Sequence, residues 1–295
     1  MTVFEAVLLG VIQGIFMFFP VSSTSHLVLT QHLLIQGGSG LPSPDSPEMI
    51  LFDLIVHVGT LVSMAVVFRR SLSHFLTSLG SAVAKGLPGA PGSRERLTVK
   101  LAGLGAISVA VTGLVGFPMK ARFEVVFGQP AMIAGTLVVT GVLLWWTDVL
   151  SPRRVGLRKI GLGAAVLVGV AQGFALLPGL SRSGVTIALG LFAGLKRRWA
   201  AEYSFFIAFP TILGAAVLQG WEVLRSEVGI GDVGVVAFLV GFLVSAVVGI
   251  FALLLVLHLL YRARFRYFAY YVWTLAAFIV VAVLTGWLPS DLFPA

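Results

Sequence analysis

Two long apolar runs of this chain, near residues 4–35 and 160–195, are interrupted at matching places, and this pattern restricts the fold more than any other feature. The first run carries Gly10-Val-Ile-Gln13-Gly14 and then Pro20-Val-Ser-Ser-Thr-Ser25. The second, 159 residues later, carries Gly169-Val-Ala-Gln172-Gly173 and then Pro178-Gly-Leu-Ser-Arg-Ser183. Each interruption leaves pieces of about 12 to 17 residues, short for crossing a hydrocarbon layer about 30 Å thick. Broken helices at corresponding places in two halves point to a binding site near the bilayer midplane. Each run therefore reads as a re-entrant helical hairpin.

Six further apolar stretches, near 50–68, 98–117, 131–147, 203–220, 233–261 and 267–288, are long enough to span. With 58% hydrophobic and 11% charged residues and a mean hydropathy of +1.02, the 295-residue chain departs far from a soluble composition. The expected fold is an all-α polytopic membrane protein, with six transmembrane helices plus two re-entrant helical hairpins in one integral membrane domain over 1–295.

Charge tests that layout independently. If each hairpin returns to the side it entered, segments 69–100, 148–159, 196–202 and 262–266 share one side, with net charges of +5, +3, +2 and +3. The other side receives 36–48, 118–130, 221–232 and Asp291, at −2, +1, −2 and −1. Lys and Arg collect on the cytoplasmic side, so the basic loops read as cytoplasmic and the protein as a multi-pass plasma-membrane protein. Topology and lipid-headgroup contact thus account for the net charge of +8 and the pI near 10.3, and nucleic acid is not an expected partner. Each half, approximately 1–150 and 155–290, holds one hairpin and three spans. That odd number of crossings makes an inverted-topology repeat, whose tips can meet at the midplane, buried in protein or lining a wet cavity. The segment 71–97, with Gly80, Gly86, Pro88, Gly89, Pro91 and Gly92, reads as a cytoplasmic loop. No basic residue precedes the first apolar run and no small-residue cleavage site follows it, so that run reads as retained.

The tips carry the chemistry. Pro178-Gly179-Leu180-Ser181-Arg182-Ser183-Gly184-Val185-Thr186 sets free N–H groups, hydroxyls and a guanidinium at a helix start, which is the composition of an anion site. Burying Arg182 costs several kcal/mol by most estimates unless a partner offsets it. A phosphate would serve, gripped bidentately; the competing reading pairs Arg182 with Asp53 or Glu5. The first tip supplies Ser22, Ser23, Thr24, Ser25 and His26, and imidazole suits proton transfer or nucleophilic attack near neutral pH. The bland alternative is a hydrogen-bonded packing histidine, and His32 and His57 are read as structural. The chain has no cysteine, hence no disulfide and no thiol catalysis, and the sequence offers no carboxylate pair, zinc-ligand cluster or nucleotide-binding glycine loop.

With these residues the chain resembles the undecaprenyl-diphosphatase family, the bacitracin-resistance type of polyprenyl diphosphate phosphatase. The matching residues are Gly14, Pro20-Val-Ser-Ser-Thr with His26, Phe52-Asp53 with Gly59 and Arg69, Pro178 to Thr186, Ala201-Glu202-Tyr203-Ser204-Phe205 and Pro210-Thr211. The resemblance implies release of the terminal phosphate from undecaprenyl diphosphate, which recycles the lipid carrier of peptidoglycan synthesis. It implies catalytic roles for His26, Ser23 and Arg182, and phosphate binding by Gln13, Ser22, Thr24, Ser181, Arg182, Ser183 and Thr186. The partners it implies are the polyprenyl diphosphate and membrane lipids; a homodimer is left open. It favours a cavity on the outer face, whereas the repeat alone permits either side. The family's acidic motif, Glu or Gln followed four positions on by Glu, falls on Gln13 and Met17. A thioether there cannot hold the Mg²⁺ or Ca²⁺ that the resemblance implies, because both want hard oxygen ligands, and the metal ligands stay unassigned. Three accounts of Met17 follow: a phosphatase with little or no metal, or one recruiting Asp53 or Glu5; a lipid-phosphate-binding paralogue with weak or lost hydrolysis; or a polyprenyl-phosphate carrier.

Overall fold

The computed structural model describes residues 1–44, 46–86, 93–119, 126, 128–149, 154–225, 233–262 and 265–292. These residues form eleven α-helices and, among them, no strand. In chain order the helices are α1 (Val3–Phe16), α2 (Ser23–Gln36), α3 (Pro47–Val67), α4 (Arg69–Ala84), α5 (Arg94–Gly116), α6 (Pro130–Val149), α7 (Leu162–Phe174), α8 (Arg182–Phe192), α9 (Arg197–Arg225), α10 (Val235–Arg262) and α11 (Arg266–Leu284). Six of them, α3, α5, α6, α9, α10 and α11, are long and apolar enough to cross a membrane, at the six places the sequence marks. Large apolar side chains point away from the protein, as Leu114, Phe251 and Leu284 do at 75%, 69% and 81% exposure. In water so much exposed apolar surface would drive association; facing lipid it costs nothing.

Local chemistry sets the helix starts. Thr2 and Glu5 form a reciprocal capping box on α1, Ser46 caps α3 ahead of Pro47, and Ser93 and Ser181 cap α5 and α8. The duplicated glycines set the packing. Gly10 and Gly14 lay α1 against Gly241, Val244 and Val248 of α10, and Gly169 and Gly173 lay α7 against Ser108, Val111 and Val115 of α5. A methyl group at Gly10 would sit 3.0 Å from the Gly241 carbonyl oxygen. Both copies thus use small residues one turn apart for close backbone approach, the means of helix association where water supplies no drive. Hydroxyls stitch such seams too, Ser63 of α3 donating to the Ala246 carbonyl of α10 at 2.7 Å and Ser108 of α5 to that of Ala165 of α7 at 2.8 Å.

The basic segments gather at one end. Asp148, at the end of α6, accepts from Arg197 at 2.8 Å and Arg266 at 3.4 Å, which ties together the starts of α9 and α11. Lys100 on α5 donates to the Arg158 carbonyl at 2.9 Å. The segment expected as the loop 71–97 is largely helical: α4 occupies it to Ala84 and α5 begins at Arg94, while Pro88, Gly89, Pro91 and Gly92 lie outside the described residues. Leu72, Phe75, Leu79 and Ala82 recur at three- and four-residue steps, an apolar stripe that the glycine- and proline-rich flank hides. Phe75 meets Phe206 edge-on at 5.0 Å, and Ser78 bonds Thr98 at 3.0 Å.

Candidate active site

Both interrupted runs fold as pairs of short helices, α1 with α2 and α7 with α8, and the turns at their breaks meet. Gly179 donates its N–H to Ser22 Oγ at 3.1 Å, Ser183 Oγ donates to the Phe19 carbonyl at 3.4 Å, and Gly184 faces Pro20. Thr136 and Thr140 of α6 hold the second turn from outside: Thr136 donates to the Pro178 carbonyl, Thr140 to that of Gly179 at 2.8 Å, and Thr140 accepts from the Ser181 N–H at 3.1 Å.

Met17 stands at the centre. Gln13 Nε2 approaches its sulfur at 3.5 Å, Arg182 Nη2 at 3.8 Å and Ser23 Oγ at 4.0 Å. Three donors thus converge on one weak acceptor. Arg182 Nη1 and Gln13 Oε1 are buried with no hydrogen-bond partner. Neither acid proposed as an ion-pair partner reaches the guanidinium: Asp53 accepts from Gln31 at 2.9 Å, and Glu5 from Ser39 and the Thr2 N–H, both at 2.6 Å. An under-satisfied buried guanidinium is costly, and an anion between Arg182 and the serines would relieve it.

Each expected site residue has a place. Gln13, Ser23 and Arg182 meet around Met17. Ser181 and Ser183 are side by side at 3.4 Å, and Thr24 lies half-buried in the first turn of α2. Ser22 takes a left-handed conformation, φ 69°, bonding Ser25 at 3.0 Å while it accepts from Gly179. Thr186 turns elsewhere, to the Arg182 carbonyl at 2.7 Å and to Ser204 of α9 at 2.5 Å. The backbone at the second turn is less open than its composition suggests, because Ser181 accepts from the Gly184 N–H and its own N–H is held by Thr140. The first turn is the open one: Ser22 makes no side-chain cap, so the first N–H groups of α2 have no side-chain cap.

His26 lies beside this centre with both ring nitrogens engaged, Nδ1 with the Ser22 carbonyl at 2.7 Å and Nε2 with the Tyr271 hydroxyl at 2.8 Å. Its ring stacks on Phe16 at 3.9 Å. A carbonyl only accepts, so Nδ1 carries a hydrogen. Residues that sequence reasoning passed over complete the surroundings, Tyr271, Thr136 and Thr140, beside Ser204, which had entered only with the family's motif. Only polar residue type, in runs otherwise apolar, could have flagged them.

The class defined by this fold and site is a multi-pass helical membrane protein with a donor-rich polar centre between two helix breaks. The comparisons name it more closely. The chain belongs to the bacitracin resistance protein BacA family, whose model matches residues 6–278. It is 57% identical over 296 residues to an undecaprenyl-diphosphatase of Alkalilimnicola ehrlichii, covering 100% of this chain and 99% of the relative. It is 56% identical over 293 residues to that of Halorhodospira halophila, covering 98% and 99%. With the undecaprenyl-diphosphatase of Carboxydothermus hydrogenoformans it shares 35% over 286 residues, covering 97% and 99%.

Proposed function

We propose that this chain is an undecaprenyl-diphosphate phosphatase, a membrane hydrolase that releases inorganic phosphate and returns the lipid carrier for peptidoglycan synthesis. Full-length relatives at 56% and 57% identity bear that name. The structural observation that carries the reading is the partnerless Arg182 Nη1, buried beside Ser181, Ser183 and Ser23 where the two turns meet. Phosphoryl transfer needs positioning and charge stabilisation more than covalent chemistry, and a guanidinium with hydroxyls and helix N–H groups supplies both. Arg182 and the first N–H groups of α2 hold the terminal phosphate, with Ser22, Thr24, Ser181 and Ser183 lining it. Gln13 orients substrate or water, and Ser23 assisted by His26, or His26 itself, is nucleophile or base. The polyprenyl tail lies in lipid between the spans.

The two helix pairs act as re-entrant hairpins of an inverted repeat, a reading supported by the matching use of Gly10/Gly14 and Gly169/Gly173. The basic end faces the cytoplasm of a plasma-membrane protein. A resident Mg²⁺ or Ca²⁺ does not fit the donors at this centre. Around Met17 stand an amide, a hydroxyl, a guanidinium and a thioether, and among the described residues no three His, Asp or Glu cluster as a metal site. The test is phosphate release from undecaprenyl diphosphate by the purified protein with Mg²⁺, with Ca²⁺ and with EDTA, beside Met17→Glu. The native chain is expected to be active in EDTA. Met17→Glu, which sets a carboxylate among those donors, is expected to make activity cation-dependent. A native chain inactive in every condition beside an active Met17→Glu would overturn the proposal in favour of lipid-phosphate binding without hydrolysis.

A further inference from the structure

We propose that Tyr271 is a positioning residue of this site, acting through His26; the inference rests on the phosphatase reading above. Because Nδ1 of His26 gives its hydrogen to the Ser22 carbonyl at 2.7 Å, the neutral ring presents a lone pair at Nε2. That lone pair meets Tyr271 Oη at 2.8 Å, and the phenol must be the donor. Tyr271 comes from α11, 245 residues away, and its ring is parallel to that of His26 within 8° at a centroid separation of 5.8 Å. With Phe16 stacked at 3.9 Å on the imidazole, the histidine is fixed in rotamer, ring plane and tautomer by three contacts. A hydroxyl is the right group at Nε2. It donates to the neutral ring and so fixes tautomer and ring plane in the resting site; Nε2 takes a proton from another group only after the phenol has turned away from its lone pair. The acids and the cation weighed for the site have partners of their own, Asp53 in Gln31, Glu5 in Ser39 and Arg182 at Met17. Tyr271 is 42% exposed and so contributes little to the buried core. Its hydrogen bond to His26 is its most specific contact.

Tyr271→Phe keeps the parallel ring and deletes the hydroxyl. In a phosphate-release assay it is expected to lower kcat about tenfold, the loss of roughly one neutral hydrogen bond in the transition state, with KM changed less than twofold. In a His26→Asn background the same substitution is expected to change kcat less than twofold. A second readout does not need turnover: the protein labelled with nitrogen-15 histidine, its five ring pairs assigned by the His26→Asn spectrum, should show the His26 Nε2 resonance moving in Tyr271→Phe. Equal losses in the two backgrounds, an unmoved Nε2 resonance, or an unchanged kcat in an otherwise active protein would each overturn this role alone. A native chain that releases no phosphate overturns the phosphatase reading and this role with it.

Discussion

The two turns begin from nearly the same sequence and solve the same problem differently. Each must reverse a helix and restart it, and each uses one residue with positive φ. The second turn uses Gly179, φ 87°, at a spot where a Cβ would run into Thr136 and the Ile133 carbonyl. The first uses Ser22, φ 69°, the one non-glycine with positive φ among the described residues. A glycine there would be relaxed; serine holds about 1 kcal/mol of strain. In return its hydroxyl takes the Gly179 N–H, while its carbonyl fixes His26. The capping differs in the same sense. Ser181 closes the start of α8 on Gly184, whereas Ser22 leaves the start of α2 uncapped. The second turn is therefore a braced support that delivers Arg182, and the first an open, strained one that leaves the start of α2 without a side-chain cap. Strain is tolerated where the surrounding structure imposes it, and such places are commonly functional.

The largest test of that division of labour is Arg182→Ala. It removes the guanidinium at the junction, and phosphate release should fall about a thousandfold or more while detergent-solubilised protein still elutes and melts as the native one does. Near-native turnover would place the anion elsewhere. Next comes Gly179→Ala, which adds a methyl against Thr136 and forces a left-handed alanine. Thermal unfolding in detergent should show a loss of about 2 kcal/mol or more, with α6 and the second turn no longer mated. A neutral effect would mean that the turn is not braced. The smallest effect is expected from Ser22→Gly. Relief of strain and loss of the Gly179 and Ser25 hydrogen bonds roughly cancel, leaving stability within about 1 kcal/mol. Activity should nevertheless fall severalfold, because the loosened carbonyl no longer fixes His26. A variant as active as the native chain would make Ser22 a purely structural residue.

Much of this architecture was legible beforehand for a simple reason. In lipid every span must be long, apolar and helical, so six runs announce six helices, and polar residues that interrupt such runs announce the turns. Gln13, Ser23 and Arg182 could be named because nothing else explains them in apolar surroundings. The helix α4 escaped notice because its apolar stripe is short and its flank is rich in glycine and proline. Tyr271 escaped for a different reason: a tyrosine near the end of a span reads as an interfacial anchor. Its pairing with His26 depends on how α11 packs beside α6, which no local pattern encodes. The alternative partners of Arg182, Asp53 and Glu5, were plausible by residue type alone. The packing gives Asp53 to Gln31 and Glu5 to Ser39 instead.

The central claim is that two breaks, one in each half of the chain, build one site. Its most direct test is a cycle between them, with kcat for phosphate release measured for Gln13→Ala, one turn before the first break, Ser183→Ala, just after the second, and the double variant. Groups that serve one transition state together lose their effect together, so each single change should cost about tenfold and the double should fall within about threefold of the worse single. Losses that multiply to about a hundredfold would show two independent contributions, and the single-site account would be wrong.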